Sequence, residues 1–118
     1  ENALFPPTLV KNVCPGMPLF DEEVFGPVAP VIKAKSTSEA INLANQSDFG
    51  LGVSLFTRDM KKAEELIPEF EEGSVFINTL VKSDPRLPFG GVKNSGYGRE
   101  LSVHGIREFV NVKTVYFG

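Results

Sequence analysis

The sequence predicts an α/β fold in which a parallel sheet carries flanking helices and a β-rich strand closes the chain. Three observations carry that prediction. From Val31 onward, short apolar runs alternate with segments of helical periodicity. Each helical segment stands between two runs, so it acts as a crossover, the connection that parallel strands require. The runs are apolar at consecutive positions rather than at alternate ones, as expected for strands covered on both faces.

Val31-Ile32-Lys33-Ala34 reads as the first strand. Ser36 followed three residues later by Glu39 makes a capping box that opens a helix reaching about Asn45, with Ile41 and Ala44 as its buried stripe. Val53-Ser54-Leu55-Phe56 is the second strand. Met60, Ala63, Leu66, Ile67 and Phe70 then recur at helical spacing on one face, with Lys61, Lys62, Glu64 and Glu65 opposite. Pro68 removes a backbone donor and clashes with the preceding turn, so this helix is expected to kink or end there, and Gly73 marks the stop. Ser74 to Asn78 forms the third strand. A last helix is expected over Arg99 to Phe109, turning Leu101, Ile106 and Phe109 inward, although Gly105 weakens it. Val110 to Phe117 is a terminal β-rich strand, which divides the chain into a body over 1–109 and a pairing segment over 110–118.

The composition narrows the classes of function. A chain of 118 residues with net charge -3 and interleaved Lys and Glu has no basic face, so no nucleic-acid partner is expected. No apolar stretch approaches the roughly 20 residues of a membrane helix, and no leader sequence opens the chain, so a cytoplasmic protein without a membrane partner is expected. Cys14 is the only cysteine, which excludes an internal disulfide and a cysteine-based zinc site. Cys14 and His104 lie far apart without flanking signatures, so they read as a buried small thiol and a helix-surface imidazole rather than a catalytic pair. No metal site is expected. The chain opens Glu1-Asn2-Ala3 without an initiator methionine and contains no nucleophile constellation, so a fragment of a longer protein is expected.

The site hypothesis begins at the long loop from Asn78 to about Gly98, rich in Pro and Gly. It leaves the carboxyl end of a strand, where ligands of open parallel sheets bind, and its length exceeds that of an ordinary connection. Gly90 and Gly91 permit close backbone approach, and Phe89 offers a flat apolar surface. An aromatic plug that only anchors the loop is the plainer alternative for Phe89. Upstream, Glu22 and Glu23 point to opposite sides if the chain is extended, while Phe25 shares the side of Glu23. Here the plainer alternative is a surface acid pair before a core ring at the Gly26-Pro27 turn.

Two stretches carry a resemblance. Glu22-Glu23-Val24-Phe25-Gly26-Pro27-Val28 and Pro88-Phe89-Gly90-Gly91-Val92-Lys93-Asn94-Ser95-Gly96-Tyr97-Gly98-Arg99-Glu100 resemble the two C-terminal signatures of the aldehyde dehydrogenase superfamily, in that family's order and separation. The resemblance runs from Pro7-Thr8-Leu9 through Phe109 to Val115, and it is strongest to bacterial succinate-semialdehyde dehydrogenases. It implies that Glu23 accepts hydrogen bonds from the nicotinamide ribose hydroxyls of NAD or NADP, that Phe25 forms an apolar wall beside the nicotinamide, and that Phe89 lines the aldehyde entrance. A carboxylate suits a ribose because its two oxygens meet two neighbouring hydroxyl donors.

Within Lys82-Ser83-Asp84-Pro85-Arg86, where relatives differ, Ser83, together with Lys82 or Arg86, could donate to the distal carboxylate of a dicarboxylic semialdehyde. A solvated polar loop is the plainer alternative. The resemblance further implies a parent enzyme that oxidises a small aldehyde through a cysteine thiohemiacetal, with a glutamate activating the hydrolytic water. Neither group has a counterpart here, so the chain alone is expected to be inactive. The intact protein is expected to be a homo-oligomer, a dimer or tetramer. A reading from another class is a stand-alone interaction domain that adds its terminal strand to a partner's sheet.

Overall fold

Capping chemistry decides where two of the helices begin, and the computed structural model, which describes residues 4–118, places both starts where the sequence puts them. The Ser36 hydroxyl accepts from the Glu39 backbone N–H at 3.1 Å and opens α2, Thr37–Asn45. The Glu39 carboxylate reaches back to the backbone N–H of Lys35, one residue before the position a strict capping box uses. The Asp59 carboxylate accepts from Lys62 N–H at 3.0 Å and opens α3, Met60–Leu66. At Pro68 the α-helix has already ended, and the chain tightens into a 3-10 turn over Ile67–Glu69.

The chain divides into two compact units, Glu1–Asp48 and Phe49–Gly118. In the first, β1 (Thr8–Lys11) pairs in parallel with β2 (Val28–Val31), Thr8 opposite Val28 and Lys11 opposite Val31. A short helix, α1 (Pro18–Asp21), lies between them in sequence with Pro18 in its first turn, where a missing N–H costs nothing. Val13 and Ile41 are the buried apolar side chains of this unit.

In the second unit, β4 (Val53–Leu55) pairs in parallel with β5 (Val75–Ile77), with α3 as the crossover. Ala63 of α3 is fully buried. A second pair, β3 (Phe49–Gly50) and β6 (Val92–Lys93), is antiparallel. The chain finishes with α4 (Ser102–Glu108).

The α/β class with parallel pairing therefore holds, with five departures from the expected layout. The first strand lies at Val28–Val31 rather than Val31–Ala34, and its partner is the short β1, not the strand at 53. Among the described residues the strands form three two-stranded sheets instead of one. The expected apolar face of α3 is buried only at Ala63, with Leu66 and Phe70 half-buried and Met60 and Ile67 exposed. In α4 the residue turned inward is Gly105; Ile106 and Phe109 face outward, Phe109 being 91% exposed. A side chain at 105 would press on the Glu100 backbone, its Cβ 2.9 Å from the carbonyl carbon, so glycine is required by close approach. Residues 110–118, expected as a pairing strand, form no strand here, because a ladder needs an edge to pair with and none is engaged.

Candidate functional site

The site is assembled from β5 and the loop that follows it. Asn78 ends the strand in a left-handed conformation, φ 55°, which a short polar side chain tolerates. Its side chain then continues the ladder that its backbone abandons. The amide Nδ2 donates to the Thr57 carbonyl at 2.8 Å, and Oδ1 accepts from the Thr57 N–H at 2.8 Å, while the Asn78 N–H itself donates to the Leu55 carbonyl at 2.9 Å. These three bonds fix the direction in which the loop departs.

The far end of the loop is held equally firmly. Phe89 and Glu100 exchange two backbone hydrogen bonds, 2.9 and 2.8 Å long. Arg99 donates through Nη1 to the carbonyls of Gly91 at 2.9 Å and Gly98 at 2.6 Å, stapling the glycine-rich segment to itself. Close approach explains the glycines. A Cβ on Gly90 would sit 2.7 Å from the Gly98 carbonyl oxygen, and one on Gly73 would overlap the Gly90 carbonyl. Phe89 is thereby carried to a fixed place at the end of β5.

Between these anchors lies a cavity of about 320 Å³, lined by Ser74 to Ile77 of the β5 region and by Lys82, Asp84, Leu87, Pro88 and Phe89. Its wall is largely apolar, with two charged groups on the loop side. Asp84 is committed to Arg86: Arg86 Nε donates to Oδ1 at 2.9 Å, Nη2 donates to Oδ2 at 2.6 Å, and the Arg86 backbone N–H donates to Oδ1 at 2.9 Å. These bonds, the guanidinium first among them, hold the Asp84 carboxyl well below the usual carboxylate range and raise Arg86 in turn. Lys82 makes no hydrogen bond or ion pair among the described residues.

The residues singled out from sequence fall as follows. Phe89 lines the cavity. Ser83 lies in the same loop between two lining residues, exposed, and is not itself part of the wall. Glu23 and Phe25 belong to the first compact unit, on the segment that joins α1 to β2. Glu22, just before them, has extended backbone, φ −109° and ψ 150°. Glu23 is exposed, with neither oxygen hydrogen-bonded among the described residues, and the Phe25 ring is 93% exposed. Cys14, expected as a buried thiol, is exposed; the buried neighbour is Val13. His104 is exposed on α4, as expected. Sequence reasoning missed Asn78, Asp84 and Arg99 as the groups that shape the loop. A strand-terminal Asn before a Pro/Gly-rich run, and an acid two residues before an arginine, are the signals that point to the first two.

Comparison with known proteins gives a consistent answer. The profile of the aldehyde dehydrogenase family matches residues 1–115. An NADP(+) succinate-semialdehyde dehydrogenase of Mycobacterium tuberculosis is 53% identical over 112 residues, covering 95% of this chain and 24% of the relative. An aldehyde dehydrogenase of Paenarthrobacter nicotinovorans is 53% identical over 116 residues, covering 98% of this chain and 25% of the relative. Among solved structures, the succinic semialdehyde dehydrogenase of Streptococcus pyogenes in complex with NADP+ superposes with a TM-score of 0.90 at 42% identity, covering 94% of this chain and 24% of that one. The betaine aldehyde dehydrogenase of Staphylococcus aureus in complex with NAD+ gives 0.85 at 40% identity, covering 89% and 21%. The chain thus spans about a quarter of the length of the relatives it matches. On the whole-length family match and these identities, the chain belongs to the aldehyde dehydrogenase family.

Proposed function

We propose that these residues supply part of the reaction centre of an NAD(P)-dependent aldehyde dehydrogenase whose substrate is a short aldehyde with a distal carboxylate, succinate semialdehyde being the first choice. One observation carries the reading: a mostly apolar cavity with a cation at its rim, walled by the ring of Phe89 at the end of β5. Its volume, about 320 Å³, lies at the small end of the range for ligand pockets, as a short acyclic aldehyde requires. The likeness to succinate-semialdehyde dehydrogenases supports the same substrate class.

The residues upstream fit a nicotinamide cofactor. Glu23 offers two unengaged carboxylate oxygens to a pair of ribose hydroxyls, and Phe25, two positions further along the segment, presents an uncovered ring of the kind that packs beside a flat heterocycle. When bound, the cofactor supplies the two-electron acceptor for the aldehyde. The work of this chain is to bind and exclude: Glu23 orients the ribose, Phe25 and Phe89 keep water from the apolar surface, and Ser83 donates to the substrate's distal end. The cysteine that forms the thiohemiacetal and the glutamate that activates water have no counterparts among these residues, so a preparation of the 118 residues alone is expected to turn over no aldehyde. The apolar side chains of Val112, Val115, Tyr116 and Phe117, all exposed, suit the terminal segment to pairing with a neighbouring subunit in a homodimer or homotetramer. Steady-state rates of the full-length enzyme over a panel of aldehydes test the reading. Preference for succinate semialdehyde over uncharged aldehydes is expected, and equal rates across the panel would contradict it.

A further inference from the structure

We propose that Lys82 is the residue that reads the substrate's distal charge: its ammonium, at the loop side of the β5 cavity, pairs with the carboxylate of an aldehyde whose methylene chain lies along Leu87 and Phe89. The inference rests on the semialdehyde reading above and sharpens it.

Three groups of the loop could meet an anion, and the structure sorts them. Arg86 has the best geometry for a carboxylate in principle, but its guanidinium fork is already filled by Asp84, through both Nε and Nη2. Reassigning it would leave Asp84 without its two guanidinium bonds, at a cost the free ammonium of Lys82 does not incur. Ser83 is neutral and stands outside the cavity wall, so its hydroxyl adds direction without charge. Lys82 lines the wall, carries a full charge and has no hydrogen-bond or ion-pair partner among the described residues.

The electrostatic setting favours the same assignment. Lys82, Asp84 and Arg86 are two cations and one carboxylate, and the carboxylate is matched to the arginine. Lys82 is exposed and acts on Asp84 more weakly than Arg86 does, so the cluster presents one net positive charge beside an apolar surface, placed to attract an anion. An uncharged aldehyde of equal length would gain contact with the apolar part of the wall, formed by Val75, Phe76, Ile77, Leu87, Pro88 and Phe89, without an ionic partner. Discrimination between the two substrates then falls on one ammonium at the distal end, remote from the reacting carbonyl, and so appears in KM more than in kcat.

The test uses the full-length enzyme with succinate semialdehyde and butanal, which share a carbon count and differ in the carboxylate. Lys82→Met is expected to raise KM for succinate semialdehyde about 10- to 100-fold, the range for losing a hydrogen bond to a charged group. The preference for succinate semialdehyde over butanal is expected to fall by the same factor, and the urea midpoint of the variant serves as the control for folding. Lys82→Arg is expected to recover most of the loss. In the parent enzyme KM for succinate semialdehyde should rise with ionic strength, and in Lys82→Met that dependence should weaken, a response that a purely structural role would not produce. A parent enzyme that prefers the charged aldehyde, with Lys82→Met keeping the same preference, overturns this inference alone. A parent enzyme indifferent to the carboxylate overturns the semialdehyde reading together with it.

Discussion

Arg99 shows how much of a site's shape can depend on a side chain that never meets a ligand. Its Nη1 bridges the Gly91 and Gly98 carbonyls, and Gly91 is buried, so truncation leaves a buried acceptor without its donor. Arg99→Ala is expected to cost roughly 1–3 kcal/mol in urea denaturation and to raise the aldehyde KM as Phe89 loses its fixed place. Unchanged stability and KM would show that the Phe89–Glu100 backbone pair suffices. Asp84 gives a second prediction at this scale. Its folded-state carboxyl titrates below its ordinary value of 3.8, so the loop's ion pair is intact at all pH values above that range and is lost only as pH falls through the lowered value. A carboxyl NMR titration of Asp84 with its inflection near the ordinary value would contradict the bidentate pairing. Phe89 and the close approach at Gly90 were legible in the sequence, because aromatic and glycine chemistry act locally. The commitment of Arg86 to Asp84 was not, since a sequence shows which charges are near but not which are taken.

Elements were legible where a local signal fixes them. Ser36 and Pro68 set a helix start and a helix end from chemistry contained within one turn, and both lie where expected. Ser36→Ala is accordingly expected to lower stability by about 1 kcal/mol, measured as a fall in the urea midpoint, with Ser36→Asp close to the parent. The β1 strand was missed because four residues between Pro7 and Asn12 are too few to show a period, and its pairing with β2 is a long-range event. The orientation of α4 was misread because the spacing of Leu101, Ile106 and Phe109 suggests a buried stripe, whereas packing selected the face bearing Gly105, the only face without a side chain to clash with Glu100. At Gly73 the same physics makes a prediction. Gly73→Ala forces the Gly90 carbonyl aside, so the β5 start and the Phe89 loop must separate, and both stability and aldehyde oxidation should fall. A variant with parent-like stability would mean that the two segments shift apart without cost.

At the scale of the molecule, the large exposed apolar side chains are the plainest physical fact. Phe25, Ile106, Phe109, Val112, Tyr116 and Phe117 lie open, while among the described residues the buried apolar core is confined to Val13, Ile41 and Ala63. The chain spans about a quarter of the length of the relatives it matches, and exposed apolar surface of this extent is the kind that further protein covers. The α/β class was readable from alternating runs, but the number of strands per sheet was not, since that depends on edges that local patterning does not specify. The proposed roles are that Glu23 meets the nicotinamide ribose and that Phe89 meets the aldehyde in the complete enzyme. A crystal structure of the full-length protein with its nicotinamide cofactor and an unreactive aldehyde analogue tests this most directly. The Glu23 carboxylate is expected within hydrogen-bonding distance of the nicotinamide ribose hydroxyls and the Phe89 ring against the analogue; a cofactor bound with Glu23 in solvent and Phe89 remote from the carbonyl would contradict it.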